Sequence, residues 1–147
     1  MIYLGADHRG FKLKEQVKGY LTERGYQVSD LGTDSEEPVD YPIITEKVAT
    51  AVKGDPNNRG IVICGSGVGV CIVANKIKTI RAAEAWSPEV AHAARNDDNV
   101  NVLCLSSDNL DFEQTKPIVQ TFLDSSFGAE ERYKRRLKQI EDIENSN

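Results

Sequence analysis

Short apolar runs alternate with segments of helical period from one end of this chain to the other, and that alternation leaves few folds open. An uninterrupted apolar run bounded by turn residues reads as a strand buried on both faces, which needs helices on each side of its sheet. Five such runs occur, Ile2 to Gly5, Tyr26 to Leu31, Gly60 to Cys64, Ile80 to Trp86 and Val100 to Ser106. Between and after them the spacing predicts helices near Phe11 to Arg24, Ile43 to Lys53, Val68 to Ile77, Pro88 to Arg95 and Phe112 to Leu123. In the first helix Leu13, Val17, Tyr20 and Leu21 make one stripe, and Gly25 closes it. The class is therefore α/β: a Rossmann-like three-layer sandwich over residues 1–147, with a five-stranded parallel sheet in the common order 2-1-3-4-5.

A final segment, Ala129 to Ile143, reads as an additional C-terminal helix. Its apolar positions Tyr133, Leu137 and Ile140 are too few for a full core face, so it is expected to pack across a partner subunit. The loops Gly32 to Pro42 and Gly54 to Arg59 are rich in turn residues, and neither marks a domain boundary. At 147 residues the chain has the size of one domain.

A net charge of −5 argues against nucleic acid or an anionic membrane surface as partner, so an anionic ligand must be held by locally placed cations. Three cysteines at no zinc-like spacing, with two histidines, point to neither a disulfide framework nor a metal site. The start Met1-Ile2-Tyr3-Leu4-Gly5-Ala6-Asp7 lacks the basic and apolar parts of a signal peptide, and no apolar stretch approaches the ~20 residues of a membrane span. A soluble cytoplasmic protein without metal or cofactor is expected.

Doubly wound sheets bind ligands outside the carboxyl ends of their strands, where the strand order reverses. For the order above, that crevice lies between the first and third strands. The residues leaving those strands are Asp7-His8 and Cys64-Gly65-Ser66, so topology gathers an acid, an imidazole, a thiol and a hydroxyl. Gly65, Gly67 and Gly69 leave room for amide N–H groups to face an anion as the next helix begins.

The spacing is not the dinucleotide fingerprint, which needs two residues before its last glycine and normally follows the first strand. Val70, six residues after Cys64, stands where a cysteine-phosphatase loop needs an arginine. A strand cysteine is ordinarily an inert core thiol, as Cys71 and Cys104 are read here, but the glycines beside Cys64 favour a chemical role. His92 reads as packed or solvent-facing, and Asp7 as a helix cap that can also bind a ligand. Arg132 and Arg136 lie four apart and share one helix face; alone, such a pair is most often solvated surface, yet it could clamp a phosphate.

With Gly5-Ala6-Asp7-His8-Arg9-Gly10-Phe11-Lys12-Leu13-Lys14, Val39-Asp40-Tyr41-Pro42, Cys64-Gly65-Ser66-Gly67-Val68-Gly69 and Ala74-Asn75-Lys76 in order, the chain resembles type B ribose-5-phosphate isomerase. That family also includes galactose-6-phosphate and allose-6-phosphate isomerases, and the similarity runs from Met1 to about Ile143. The resemblance implies metal-free aldose–ketose isomerisation through an enediolate, ribose 5-phosphate to ribulose 5-phosphate, in a homodimer or tetramer with the active site at the subunit interface. It makes Cys64 the base that moves a proton between C1 and C2. Gly65, Ser66, Gly67, Val68 and Gly69 would hold the enediolate oxygen. Asp7 and His8 would contact the sugar hydroxyls and the phosphate end, Tyr41 would line the pocket, and Arg132 and Arg136 would bind the phosphate.

The chain departs from that family at Asp97-Asp98, where a His-Asn pair is usual and the histidine opens the furanose ring. Asp108 stands where a further phosphate-binding arginine is expected. Three arrangements accommodate these acids. Asp97, in a carboxylate cluster with Asp98, does the ring-opening work; or the substrate is a tetrose 4-phosphate, whose phosphorylated O4 cannot close a furanose; or the chain is a half-site or non-catalytic subunit of a heteromeric isomerase. The first is adopted here, because the base, the anion loop and the arginine pair all survive.

Overall fold

The computed structural model describes residues 1–147. In chain order its elements are β1 (Ile2–Ala6), α1 (Phe11–Glu23), β2 (Val28–Asp30), α2 (Tyr41–Lys53), β3 (Arg59–Cys64), α3 (Val68–Ala74), β4 (Ala82–Glu84), α4 (Pro88–Asp98), β5 (Val102–Ser106), α5 (Phe112–Asp124) and α6 (Glu131–Asn145). All strand pairs are parallel, and the sheet is five-stranded as expected.

Its strand order, β2-β1-β3-β5-β4, corrects the expected 2-1-3-4-5. The reason lies in the strands themselves. β5 is buried at every position and belongs at the centre, where both faces are covered. β4 shrinks to three half-buried residues flanked by Arg81, Glu84 at its end and an exposed Trp86, a composition suited to an edge. The crevice between β1 and β3 is unaffected by the exchange.

Side chains of the central strands alternate between two apolar layers. Leu4, Ile61, Ile63, Leu103 and Leu105 meet α1, α4 and α5 through Val17, Leu21, Ala91, Ile118 and Phe122. Val62, Cys64, Val102 and Cys104 meet α2 and α3 through Val48, Val52, Val70 and Ala74. Cys64 therefore projects onto the α2/α3 side of the sheet.

Two helices end differently from expectation. α3 stops at Ala74 rather than Ile77, because Asn75 turns its amide back: Nδ2 donates to Ala82 O at 2.9 Å and Oδ1 accepts from Ala82 N at 2.9 Å. That pair fastens the helix end to the edge strand. α4 runs past Arg95 to Asp98 and closes on Asn99 in the left-handed region, φ 48°. Acids at a helix C-terminus oppose its dipole, so this last turn needs other support. Arg95 is buried and secures this end, donating from Nη1 to Val100 O at 2.6 Å and to Asn99 Oδ1 at 2.9 Å. Burial pulls its guanidinium down to about 10.

One charge lies deep in the fold. Lys14 of α1 is completely buried and donates to Asp30 Oδ2 at 2.6 Å and Thr33 O at 2.7 Å. Asp30 also accepts from Lys18 at 2.9 Å and from Gly32 N at 3.0 Å. The ring of bonds fixes the exit of β2 beside the end of β1, where Ala6 N donates to Gly32 O at 2.7 Å and Thr33 N to Ala6 O at 2.8 Å.

α6 touches the body at its two ends. Tyr133 is its buried residue, and Glu144 accepts from Thr79 N at 3.1 and 3.2 Å. Ile140 and Ile143 are left exposed. No helix is long and apolar enough to cross a membrane.

Candidate active site

Cys64 is the last residue of β3, and its Sγ accepts a hydrogen bond from Gly67 N at 3.2 Å. The chain can turn back on its own thiol because Gly67 adopts φ 78°, where a side chain would be strained. A Cβ at Gly67 would also lie 2.6 Å from Glu84 Oε1. Ser66 Oγ accepts from Val68 N at 3.2 Å, so the loop braces itself. Val68, Gly69 and Val70 supply the first-turn amides of α3, which have no intrahelical acceptor.

The turn after β1 forms the adjoining wall. Asp7 is buried, and its Oδ1 accepts from Arg9 N and Gly10 N, both at 3.0 Å. Gly10 lets this turn press on β3, since a Cβ there would sit 2.7 Å from Ile63 O. Asp7 is thus the organiser of the turn that presents His8. His8 Nδ1 lies 3.1 Å from Val39 N and 3.3 Å from Val39 O, so its ring is held against the Val39 backbone with Nε2 on the far side. Val39 introduces Tyr41, the first residue of α2, whose ring lies against Gly69: a Cβ on Gly69 would be 2.5 Å from Tyr41 Cζ. Asp7, His8, Tyr41, Cys64 and the loop Gly65, Ser66, Gly67, Val68, Gly69 accordingly form one cluster at the carboxyl end of the sheet.

The remaining candidates lie elsewhere. Asp97 and Asp98 occupy the last turn of α4, just before Val102, which pairs with Gly60 at the start of β3, whereas Cys64 pairs with Ser106. The two groups therefore sit at opposite ends of the sheet, at least about 13 Å apart at ~3.3 Å per strand residue. Arg132 joins the far group: Gly128 N, just before α6, donates to Asn96 O at 2.9 Å. Arg132 Nη2 donates to Tyr133 Oη at 3.0 Å, Nη1 pairs with Glu130 at 2.5 Å, and these partners, with Asp97 adding a smaller pull, raise its affinity for its proton. Asp97 itself accepts from Asn96 Nδ2 at 2.8 Å. Arg136, one turn along α6, is exposed and makes no intrachain ion pair.

One chain therefore carries two half-sites. One has a thiol, an imidazole and the unpaired amides of Gly69 and Val70, and the other has a pair of guanidinium groups and two carboxyls. A groove of about 690 Å³ runs between β4 and α6, past Ile80, Arg81, Asp98 and Ile140, and includes neither Cys64 nor His8.

The other expectations divide. His92 faces solvent, with Nδ1 3.0 Å from Ser125 Oγ, and Cys104 is core, both as read from the sequence. Cys71 is only half-buried beside Cys104. Two groups at the Cys64 half-site had no signal in the sequence. Glu84, at the end of β4, lies behind Gly67, and burial raises its carboxyl above the ordinary range. Arg9 lies over Gly65 and forms an ion pair with Asp108.

Residues 2–140 match the profile of the Ribose/Galactose Isomerase family. The chain is 41% identical over 143 residues to ribose-5-phosphate isomerase B of Escherichia coli (strain K12), covering 97% of this chain and 95% of that one. It is 38% identical over 128 residues to D-erythrulose-4-phosphate isomerase of Pectobacterium atrosepticum, covering 86% and 84%. The structure superposes on that of Clostridium thermocellum ribose-5-phosphate isomerase B with a TM-score of 0.94 at 40% identity, covering 99% of this chain and 97% of that chain.

Proposed function

The chain belongs to the ribose/galactose isomerase family, and from that premise we propose that it interconverts an aldose phosphate and its ketose, with ribose 5-phosphate and ribulose 5-phosphate as the pair. The observation that carries the chemistry is Cys64 held under the Gly67 amide, at the mouth of the crevice between β1 and β3. Sγ takes the proton from C2 of the open-chain aldose, and the carbonyl at C1 gains the electron pair as an enediolate oxygen. The first-turn amides of α3 and the Ser66 hydroxyl face that developing charge. Return of the proton to C1, with transfer of the O2 proton to O1, gives the ketose.

The working unit is a homo-oligomer. A thiol and a pair of arginines on opposite ends of one sheet act on one substrate only if a second copy brings its Asp97, Asp98, Arg132 and Arg136 to the Cys64 loop. A two-fold arrangement does this twice, giving two composite sites per dimer. The surface around the loop suits such a partner: Tyr41, Ile43, Val68 and Ile72 of α2 and α3 are large apolar side chains left exposed. In the completed site the arginines hold the phosphate, and Asp97 protonates the ring oxygen of a cyclic sugar.

A second reading is favoured by the acids at 97 and 98 together with the similarity to an erythrulose-4-phosphate isomerase. A tetrose 4-phosphate has no free O4 to close a furanose, so it needs no ring-opening acid. A panel of four-, five- and six-carbon sugar phosphates, assayed with the parent and with Cys64→Ser, decides. The expected result is fastest turnover of ribose 5-phosphate, lost in the serine variant. Faster turnover of erythrose 4-phosphate selects the second reading, and no turnover of any sugar phosphate by the purified homomer rejects both.

A further inference from the structure

We propose that Arg9 is a further substrate-binding cation, directed at the anionic phosphate end of the ligand, and that Asp108 is the residue that positions it. The inference rests on the sugar-phosphate reading above and adds to the Cys64 half-site a cation that it otherwise lacks.

Three observations converge. Arg9 is the third residue after β1, next to His8, and its guanidinium lies over Gly65, immediately after Cys64; a Cβ on Gly65 would overlap Arg9 Cζ. Absence of a side chain at 65 is thus what admits the arginine to the crevice. Second, the site of its anchor is built from backbone. Asp108 N donates to Gly65 O at 3.0 Å, and Ser107 Oγ donates to Arg9 O at 3.0 Å and Cys64 O at 3.2 Å, so the turns after β1, β3 and β5 interlock around the ion pair. Third, Arg9 Nη2 alone bonds Asp108 Oδ2, and the arginine side chain remains 55% exposed. A guanidinium has five N–H donors in a planar fork, so donors remain for a phosphate oxygen.

The charge balance of this end of the sheet points the same way. Asp7, Glu84 and Asp108 all surround the loop, and Lys12 nearby is drawn aside to Glu36 at 3.4 Å. A dianionic ligand entering there meets three carboxyls, and Arg9 is the guanidinium placed to offset them before a second copy adds its own. An exposed ion pair contributes little to stability, so bracing the turns is a weak reason for this geometry.

The test compares Arg9→Gln, Arg9→Lys and Asp108→Asn in the assembled protein. Titration calorimetry with inorganic phosphate gives binding, and steady-state kinetics on the sugar phosphate give KM and kcat. Loss of one charge-assisted contact is expected to weaken phosphate binding about tenfold or more in Arg9→Gln. KM should rise by a similar factor with kcat within about threefold, the pattern of lost uniform binding. Arg9→Lys should recover part of the loss. Asp108→Asn, which keeps the cation but loosens its anchor, should weaken phosphate binding by only about threefold, clearly less than Arg9→Gln. Equal losses in Arg9→Gln and Asp108→Asn would reduce the pair to a brace and overturn the assignment. So would unchanged binding in Arg9→Gln, or no phosphate binding by the parent. Absence of sugar-phosphate turnover in the parent would instead strike the catalytic reading and leave the phosphate titration to judge Arg9 alone.

Discussion

Replacing Cys64 separates its chemical role from its structural one. The residue is buried among Val62, Val70 and Cys104, and Cys64→Ala removes a group of about methylene size, worth ~1 kcal/mol of burial. It also strips Gly67 N of its acceptor, which adds roughly 1 kcal/mol because sulfur is a weak acceptor and the amide lies at the lower end of the unsatisfied-donor range. A total of ~2 kcal/mol leaves an ordinary domain folded. Cys64→Ser keeps the shape and offers Gly67 N an oxygen, so its stability loss should be smaller. Both variants lack the base, and both should lose about 10²- to 10⁴-fold in kcat with KM within about threefold. The assay is conversion of ribose 5-phosphate together with deuterium wash-in from heavy water at C1 and C2, followed by NMR, and urea denaturation supplies the stabilities. If Cys64→Ser keeps more than about a tenth of parental kcat and still exchanges the carbon-bound proton, the proton passes through another group and the assignment is wrong.

Three more outcomes follow from particular contacts. Gly69→Ala should raise KM about tenfold while leaving thermal stability unchanged or slightly higher, because the methyl displaces the Tyr41 ring and alanine is the better helix former; KM and a melting curve check it. Asp97→Asn should slow turnover of cyclic ribose 5-phosphate about tenfold or more and leave acyclic erythrose 4-phosphate unaffected, a difference that stopped-flow assays on both sugars resolve. For Asp30, burial alone would raise the carboxyl, but the bonds from Lys14 and Lys18 outweigh it and the net shift is downward. Its folded value lies below its unfolded one, so the stabilisation is complete above about pH 4 and is lost as pH falls through the lowered folded value. Asp30→Asn should flatten the acid limb of stability against pH in urea titrations.

The parts of the fold visible in the sequence were those decided locally. Ile61 to Cys64 and Val102 to Leu105 alternate between two buried faces, and an apolar run of that length admits little besides a central strand. Strand order was missed because Arg81, Glu84 and Trp86 had to be weighed as edge signals against the apolar residues between them. The Asp7 turn and the glycine loop were legible through topology, since both leave strands at the same end of the sheet. Three features were not. Lys14 is buried because Asp30 and Thr33 O meet it, and Arg9 is placed by Asp108, 99 residues away. The separation of Asp97 and Arg132 from Cys64 depends on where α4 ends and on the direction of β5.

Subunit complementation tests the composite site most directly. Cys64→Ala and the double variant Arg132→Ala/Arg136→Ala are each expected to be inactive as homo-oligomers. Unfolded together in equal amounts and refolded, they should form about half heterodimers, each with one intact site of two, and so recover about a quarter of parental activity. No recovery, with heterodimers demonstrated by mass, would place the whole site within one chain and contradict the account.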